Sequence, residues 1–440
     1  MTARYLAVQA LLHQEEGGYA NLVLDAELKK HPLPDPRDRA FAGAVFYAVL
    51  EHQVTLDHIL NKFLQKKIEK LDGAVRAILR SGLAQARYMG VPASAAVNEA
   101  VKLTRAFKKS SASGLVNAVL RRAIAFDGDL AAEPYQSPAH RLAVLGSVSL
   151  PVAEFFLAHY PQSAEEILTG LQPAADTALR ANTLRTGEAV LCKALLAEGA
   201  KRAVPGPFPG CVLAQLAGSP ADSAAFQKGF YHVEGQTSQL AALAVGAKPG
   251  ETVVDLCAAP GGKTLTIAQQ MGDQGTLYSC DVSENRVSLI RKAAQRMGIG
   301  CVKALCNDAS VYNPTFAGAD RILADVPCSG LGILAKKPDI RYKALDTLPE
   351  LVALQKKILE NAAKTLRPGG RLVYSTCTVN PDENQHQIKA FLAEHPEFTL
   401  VQPLPEAYKP AAMADTGFGW LSLPQNEWDG FFIAALQKEQ

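Results

Sequence analysis

Two cysteines lie where a thiol could act as a nucleophile. Cys328 follows the apolar run 321–325, and Cys377 follows the run 371–375. Both runs are predicted strands, and the ends of neighbouring strands lie about 5 Å apart in the pairing direction. The chain contains no CxxC pair, so a zinc site is not indicated. Two thiols that face one pocket indicate covalent chemistry in which a thiolate attacks the substrate.

A turn of small residues after an earlier strand is typical of a cofactor site. Segment 255–264 reads DLCAAPGGKT. A P-loop would need glycine at position 257, where this chain has cysteine, and the dinucleotide pattern GxGxxG is absent as well. What remains is a strand, a tight turn and a helix start, where a cofactor can approach the backbone. The residues predicted to contact it are Cys257, Ala258, Ala259, Pro260, Gly261, Gly262 and Lys263.

Acidic residues follow the next three predicted strands. Asp281 comes 20 residues after Gly261 and is placed to accept both hydroxyls of a ribose. Asp308 is placed to meet an adenine edge, and Asp325 ends the strand before Cys328. A single aspartate at such a position is often only a helix cap. Three of them beside a Gly-Gly turn favour a pocket for a nucleoside cofactor.

The elements that must position these residues form an alternating pattern. From about residue 236 strands and helices alternate, which is typical of a parallel sheet covered by helices. Ligands of such sheets bind outside the carboxyl ends of the strands, where all the residues above are expected. The predicted strands are 252–257, 276–280, 302–305, 321–325, 371–375, 398–401 and 431–436.

The preceding regions differ in pattern, and three domains are predicted. Residues 1–135 show helical spacing throughout, residues 139–235 mix helical and extended runs, and residues 236–440 form the alternating region. Hydrophobic residues make up 48% of the chain and charged residues 20%, which excludes disorder, collagen and coiled coil. Apolar runs fall far short of the ~18 residues that span a membrane, and the N-terminus lacks a signal-peptide pattern. Scattered thiols fit a reducing compartment, so we expect a cytoplasmic protein.

The basic residues cluster although the net charge is only +2. Residues 102–122 contain six Lys or Arg and no acid. A second cluster consists of Lys336, Lys337, Arg341 and Lys343, interrupted by Asp339. Taken alone, either cluster is more simply interpreted as a solvated surface.

Together these motifs resemble those of the S-adenosylmethionine-dependent RNA cytosine-C5 methyltransferases, the Nol1/Nop2/Sun group. The N-terminal region, with NEAV at 98–101 and VNAVLRR at 116–122, is similar to the helical RNA-binding domain of the antitermination factor NusB. One departure is VEGQTS at 233–238, where the family usually has a Gln-Asp pair before the serine. The matching segments are 179–183, 255–264, 325–328, 338–340, 376–378 and 429–432, with Asp281 and Asp308.

The resemblance implies a fold and its ligands. It implies an all-α NusB-like N-terminal domain, a small α+β subdomain and a Rossmann-like α/β methyltransferase domain with a mostly parallel seven-stranded sheet. The implied cofactor is S-adenosylmethionine, with no metal and no membrane. The implied partner is 16S ribosomal RNA, unassembled or in an early small subunit, bound by a monomer.

The resemblance also implies residue roles. Cys377 of the Thr-Cys-Thr motif is the nucleophile at carbon 6 of cytosine, and Cys328 of the Pro-Cys motif assists resolution of the adduct. Asp325 can hydrogen-bond the cytosine edge, and Lys263 can serve either ligand. Two alternatives stay open: the same chemistry on tRNA or another RNA, and a non-catalytic RNA-binding factor. The presence of both cysteines weighs against the second.

Overall fold

The computed structural model describes residues 2–171, 176–425 and 427–440. The chain forms two compact units. The first consists of Met1–Leu171 with Leu334–Leu345, and the second of Gln172–Ile333 with Asp346–Gln440. The predicted domains also include residues 1, 172–175 and 426, which lie outside the described residues.

The first unit is helical throughout the part that the structure describes. Its core is built from the apolar stripes of the helices, with Leu6, Phe46, Ile59 and Leu120 fully buried. The helices are α1 (Ala3–Glu15), α2 (Ala20–Lys30), α3 (Pro36–Asn61), α4 (Gly73–Tyr88), α5 (Ala93–Ala106), α6 (Ser113–Ile124), α7 (Pro138–Gly146), α8 (Leu150–His159) and α9 (Ala164–Thr169). Among the described residues no single helix is long and apolar enough to cross a membrane; α7 and α8 reach that length and composition only when counted together across their 115° bend.

Helix α3 is kinked, and the segment Leu334–Leu345 packs at the kink. His52 leaves the helical conformation with φ −126°, which frees backbone groups on either side. The buried Arg341 donates to the carbonyl oxygen of Glu51 at 2.7 Å, and the Tyr342 hydroxyl donates to that of Leu50. Arg341 also donates to the carbonyl of Leu171 at 2.8 Å. A stretch of chain from between the two cysteine motifs thus satisfies the kink in this unit.

The second unit begins with a small antiparallel sheet. Its strand order is β2-β3-β1-β4 among the described residues. The strands are β1 (Thr177–Ala181), β2 (Arg202–Pro205), β3 (Cys211–Gln215) and β4 (Tyr231–Val233), and the helices are α10 (Glu188–Ala197), α11 (Ala224–Gln227) and α12 (Gln236–Ala244). Leu179, Leu191 and Tyr231 form a separate buried cluster here.

A large sheet makes up the rest of this unit. Its order is β11-β12-β13-β9-β8-β5-β6-β7, with β10 pairing β13, and the five strands from β9 to β7 are parallel. The strands are β5 (Thr252–Asp255), β6 (Thr276–Asp281), β7 (Val302–Cys306), β8 (Ala319–Asp325), β9 (Leu366–Thr376), β10 (Phe398–Val401), β11 (Met413–Asp415), β12 (Trp420–Ser422) and β13 (Phe431–Lys438). Its helices are α13 (Gly262–Gln270), α14 (Glu284–Met297), α15 (Leu348–Thr365) and α16 (Gln385–Glu394).

The predicted fold class is confirmed, with two differences. The described part of the sheet has nine strands rather than seven, because the three-residue strands β11 and β12 extend its edge. Strands this short leave no readable alternation of apolar and polar residues. The second difference concerns Arg341, because the sequence predicts a solvated basic cluster and this residue is only 2% exposed.

Candidate active site

The two predicted nucleophile candidates lie side by side. Strands β8 and β9 pair in parallel with Asp325 opposite Ser375. Cys328 and Cys377 therefore follow the ends of neighbouring strands at the carboxyl edge of the sheet. Their sulfur atoms are 3.3 Å apart, and both residues are partly exposed. The hydrogen bond to Cys377 and burial raise the pKa of Cys328 well above its ordinary value. The protonated form of Cys328 is therefore favoured while Cys377 lies beside it as a thiol.

The loop after Cys328 is fastened to the strand end that carries Cys377. The backbone N–H of Gly332 donates to the carbonyl of Cys377 at 3.1 Å, and the N–H of Gly430 donates to the carbonyl of Gly332 at 2.8 Å. A side chain on Gly332 would collide with the backbone of Gly430, so only glycine allows this approach. The motif near the end of the chain is thereby joined to both cysteine motifs.

A partly buried ion pair lies at the same edge. Lys263 Nζ contacts Asp325 Oδ2 at 2.8 Å, and the Ser375 hydroxyl donates to Asp325 Oδ1 at 2.7 Å. Burial alone would lower the pKa of Lys263, but the carboxylates of Asp325 and Glu234 outweigh it and hold that pKa above its ordinary value. Cys377 contributes in the same direction, so the ammonium lies within electrostatic range of its sulfur.

The glycine turn after β5 and Asp281 at the end of β6 lie next to each other. The N–H of Ala258 donates to the carbonyl of Cys280 at 2.7 Å, which fixes the turn beside the end of β6. Arg286 bridges the two, donating to the carbonyl of Ala259 at 3.1 Å and lying 3.3 Å from Asp281 Oδ2. Gly261 has φ +110°, which lets the chain turn sharply into α13.

Other predicted positions contribute differently. Asp308 is exposed, and its Oδ1 accepts from the N–H and the hydroxyl of Ser310 at 2.9 and 2.7 Å, as a turn cap does. Burial raises the pKa of the Cys257 thiol well above its ordinary value, which keeps it protonated. Asp255 ends β5, just before the glycine turn, and burial raises its pKa to about 7.

Several side chains of the site were not predicted from the sequence. Glu234, in the segment that departs from the family pattern, is buried and accepts from Thr266 Oγ1 at 2.6 Å and Ser238 Oγ at 3.2 Å. Its carboxylate also lies 3.1 Å from His232 Nε2. The departure from the family pattern at 233–238 is the one sequence feature that points to Glu234. No such feature points to Arg286 or Ser375. Within the described ranges no group of three or more His, Cys, Asp or Glu side chains is arranged to hold a metal ion.

Comparison with known proteins identifies the family. The model of the family described as 16S rRNA methyltransferase RsmB/F matches residues 242–437, and the NusB family model matches residues 1–125. A Bacillus subtilis protein, "Probable ribosomal RNA small subunit methyltransferase B", is 34% identical over 100% of this chain and 99% of its own length. The chain belongs to the RsmB/F family of 16S rRNA methyltransferases.

A further relative and two solved structures cover between 69% and 100% of the chain. The Thermus thermophilus ribosomal RNA small subunit methyltransferase B is 33% identical over 99% of this chain and 98% of its own length. The solved structure of PH0851 superposes with a TM-score of 0.83 at 26% identity, covering 100% of this chain and 99% of that one. A methyltransferase homologue from Pyrococcus horikoshii gives a TM-score of 0.58 at 28% identity, covering 69% and 99%.

Membership of the RsmB/F family confirms the predicted resemblance, including the NusB-like region, and the predicted cofactor, S-adenosylmethionine. The residues present fit that cofactor. The Gly261 turn allows close approach to the backbone. Asp281 Oδ1 accepts from the Ser283 N–H at 3.1 Å and Oδ2 lies 3.3 Å from the Arg286 guanidinium, which leaves lone pairs for ribose hydroxyls.

Replacement of Asp281 tests the cofactor site. We expect Asp281→Ala to weaken S-adenosylmethionine binding about 10- to 100-fold, because a charge-assisted hydrogen bond is worth about 1.5–3 kcal/mol. Calorimetry with S-adenosylhomocysteine measures the change. Asp222→Ala, which removes an exposed carboxylate of the same unit, serves as the control and should bind normally. Equal affinities of both variants would remove Asp281 from the site.

Proposed function

We propose that this chain transfers a methyl group from S-adenosylmethionine to carbon 5 of a cytosine in 16S ribosomal RNA through a covalent adduct of Cys377 with carbon 6. The single observation that carries the proposal is the 3.3 Å separation of the Cys328 and Cys377 sulfurs at the edge that also holds the glycine turn. Carbon 5 of cytosine is too weak a nucleophile to take a methyl group unaided, and a thiolate at carbon 6 corrects this.

Cys377 and Cys328 act at different steps of the proposed reaction. The Cys377 thiolate forms the bond to carbon 6, and the electron pair of the carbon 5–carbon 6 double bond moves to carbon 5. That pair at carbon 5 then forms a bond to the methyl group, which bound S-adenosylmethionine would supply on a cationic sulfur that keeps the electrons of the bond that breaks. Cys328 then assists loss of the carbon 5 proton, the bond to Cys377 breaks, and its pair of electrons returns to Cys377 as the double bond re-forms.

The ion pair supports these steps electrostatically. The ammonium of Lys263, held 2.8 Å from Asp325, lies within range of Cys377 and favours its charged form. Asp325 is proposed to hydrogen-bond the cytosine edge and stabilise the ring as it becomes protonated, which places a fixed charge where charge develops. The target base must leave its stack to reach this edge, so an unpaired or loop nucleotide is the expected substrate.

Bisulfite mapping of total RNA from cells with and without the gene tests the proposal. A cytosine of 16S ribosomal RNA that loses its methyl mark in the deletion strain supports it. A mark lost only from tRNA or another RNA would move the same chemistry to that substrate. No lost mark in any RNA would favour the non-catalytic alternative.

The domain of residues 1–135 is proposed to bind RNA. The other two proposed domains are residues 139–235 and residues 236–440. Lys108, Arg121 and Arg122 are exposed, whereas Lys109 pairs with Asp72 at 2.7 Å and is partly neutralised. The first three are therefore the better candidates for contacts to phosphate.

Charge reversal tests this surface. Changing Lys108, Arg121 and Arg122 to Glu should lower RNA affinity and flatten its salt dependence by roughly 2–3 in log–log slope, at about 0.7–0.9 per lost phosphate contact. Cofactor binding should be unchanged. A triple reversal of Lys30, Lys66 and Lys67, exposed cations of the same unit, is the control. Filter binding at several salt concentrations measures both, and identical slopes would make the cluster a solvated surface only.

A further inference from the structure

A buried carboxylate lies behind the two cysteine motifs. Glu383 is fully buried in the short turn Pro381–Glu383 that follows β9, and no motif had singled it out. Its two oxygens accept four hydrogen bonds. The donors are the Ser329 N–H at 2.8 Å and Gln355 Nε2 at 2.9 Å to Oε1, and the Ser329 hydroxyl at 2.6 Å and Asn380 Nδ2 at 3.1 Å to Oε2.

Both oxygens of Glu383 serve as acceptors in this arrangement. All four partners donate to them. Because the single proton of the Ser329 hydroxyl is used towards Glu383, the Thr378 hydroxyl 2.7 Å away is the donor to Ser329. Glutamine at position 383 would turn an NH₂ group towards two donors and leave buried groups unsatisfied.

The network joins the neighbours of both cysteines. Ser329 directly follows Cys328, and Thr378 directly follows Cys377, so Glu383 holds both loops through one chain of bonds. The two sides depend on it unequally. Cys377 is also placed by β9, which is paired with β13 up to Thr376, whereas Cys328 lies in a loop outside any strand.

We infer that Glu383 is a positioning residue that sets the place of the Cys328 thiol relative to Cys377. The inference rests on the proposed function, in which Cys328 assists after methyl transfer. Loss of the carboxylate loosens the Cys328 loop while leaving the Cys377 strand end paired. Release of the methylated RNA is therefore the step that Glu383 controls.

Single-turnover kinetics with labelled RNA separates the two steps. In Glu383→Gln we expect adduct release to slow about 10- to 100-fold, as for a reacting group misplaced by about 1 Å, while methyl transfer changes less than about threefold. Cofactor affinity should be unchanged. Asp382→Asn is the matched control, because this neighbouring carboxylate is exposed and pairs with His386 at 2.8 Å. Unchanged release in Glu383→Gln, or an equal loss in both steps, would overturn the inference.

A double-variant comparison distinguishes positioning from a general structural role. If Glu383 acts through Cys328, Glu383→Gln adds no further slowing of release in the Cys328→Ala background. Should Glu383→Gln fail to fold, Ser329→Ala removes one of the two links to Ser329 and should slow release in the same direction by about threefold. An adduct in Cys328→Ala together with normal release in Glu383→Gln would reject this inference alone. Absence of an adduct in Cys328→Ala, with Cys377→Ala active, would reject the proposed function instead.

Discussion

Cys377→Ala is expected to abolish methyl transfer, by at least about 10⁴-fold, because carbon 6 loses the nucleophile that activates the ring. Cofactor and RNA should still bind. Cys328→Ala should instead form the adduct and release it slowly, since its thiol acts after the methyl group has moved. On a denaturing gel with labelled RNA, a protein–RNA band should appear for Cys328→Ala and be missing from Cys377→Ala and the double variant.

The exposed thiol of Cys306 offers a matched control for this experiment. Cys306→Ala should methylate normally and give no retained band. The reverse pattern, with the band in Cys377→Ala, would assign the nucleophile to the Pro-Cys motif. Full activity in both active-site variants would return Cys328 and Cys377 to a structural role.

Asp325→Asn is expected to reduce kcat by about 10²–10³-fold, as removal of a preorganised charge-stabilising group does elsewhere. It also leaves the partly buried ammonium of Lys263 without the partner 2.8 Å away, and the destabilisation should stay below the roughly 3–5 kcal/mol lost when a fully buried pair is broken. Steady-state kinetics and thermal unfolding measure the two effects separately.

A second substitution separates stability from catalysis at Asp325. Lys263→Met in the Asp325→Asn background removes the unpaired charge, so the melting temperature should recover while activity does not. Ser375→Ala is the milder comparison, because it removes only the donor to Asp325 Oδ1. Recovery of activity in the double variant would show that Asp325 serves only to neutralise Lys263.

The sequence was informative where local pattern and sheet geometry act together. Parallel strands bring their carboxyl ends to one edge, so the neighbouring positions of Cys328 and Cys377 follow from their places after apolar runs. The same rule predicts that the glycine turn and Asp281 lie at this edge. These predictions need no knowledge of side-chain packing.

Partners that meet only in three dimensions could not be predicted in this way. Glu383 reaches Ser329 across 54 positions, and Arg341 reaches Glu51 across 290. An acid or an arginine in a loop looks solvated until the buried groups it satisfies are known. Asp308 shows the converse, because part of its carboxylate caps its own turn, which a strand-end pattern cannot separate from ligand binding.

The excursion of Leu334–Leu345 into the helical unit affects the order in which the chain can fold during synthesis. Residues up to Leu171 emerge from the ribosome about 160 residues before this segment, a delay of roughly 8–33 s at about 5–20 residues per second. Throughout that interval the carbonyls of Leu50 and Glu51 at the α3 kink lack the side chains of Tyr342 and Arg341. The first unit to be made is thus completed only after most of the second has been translated.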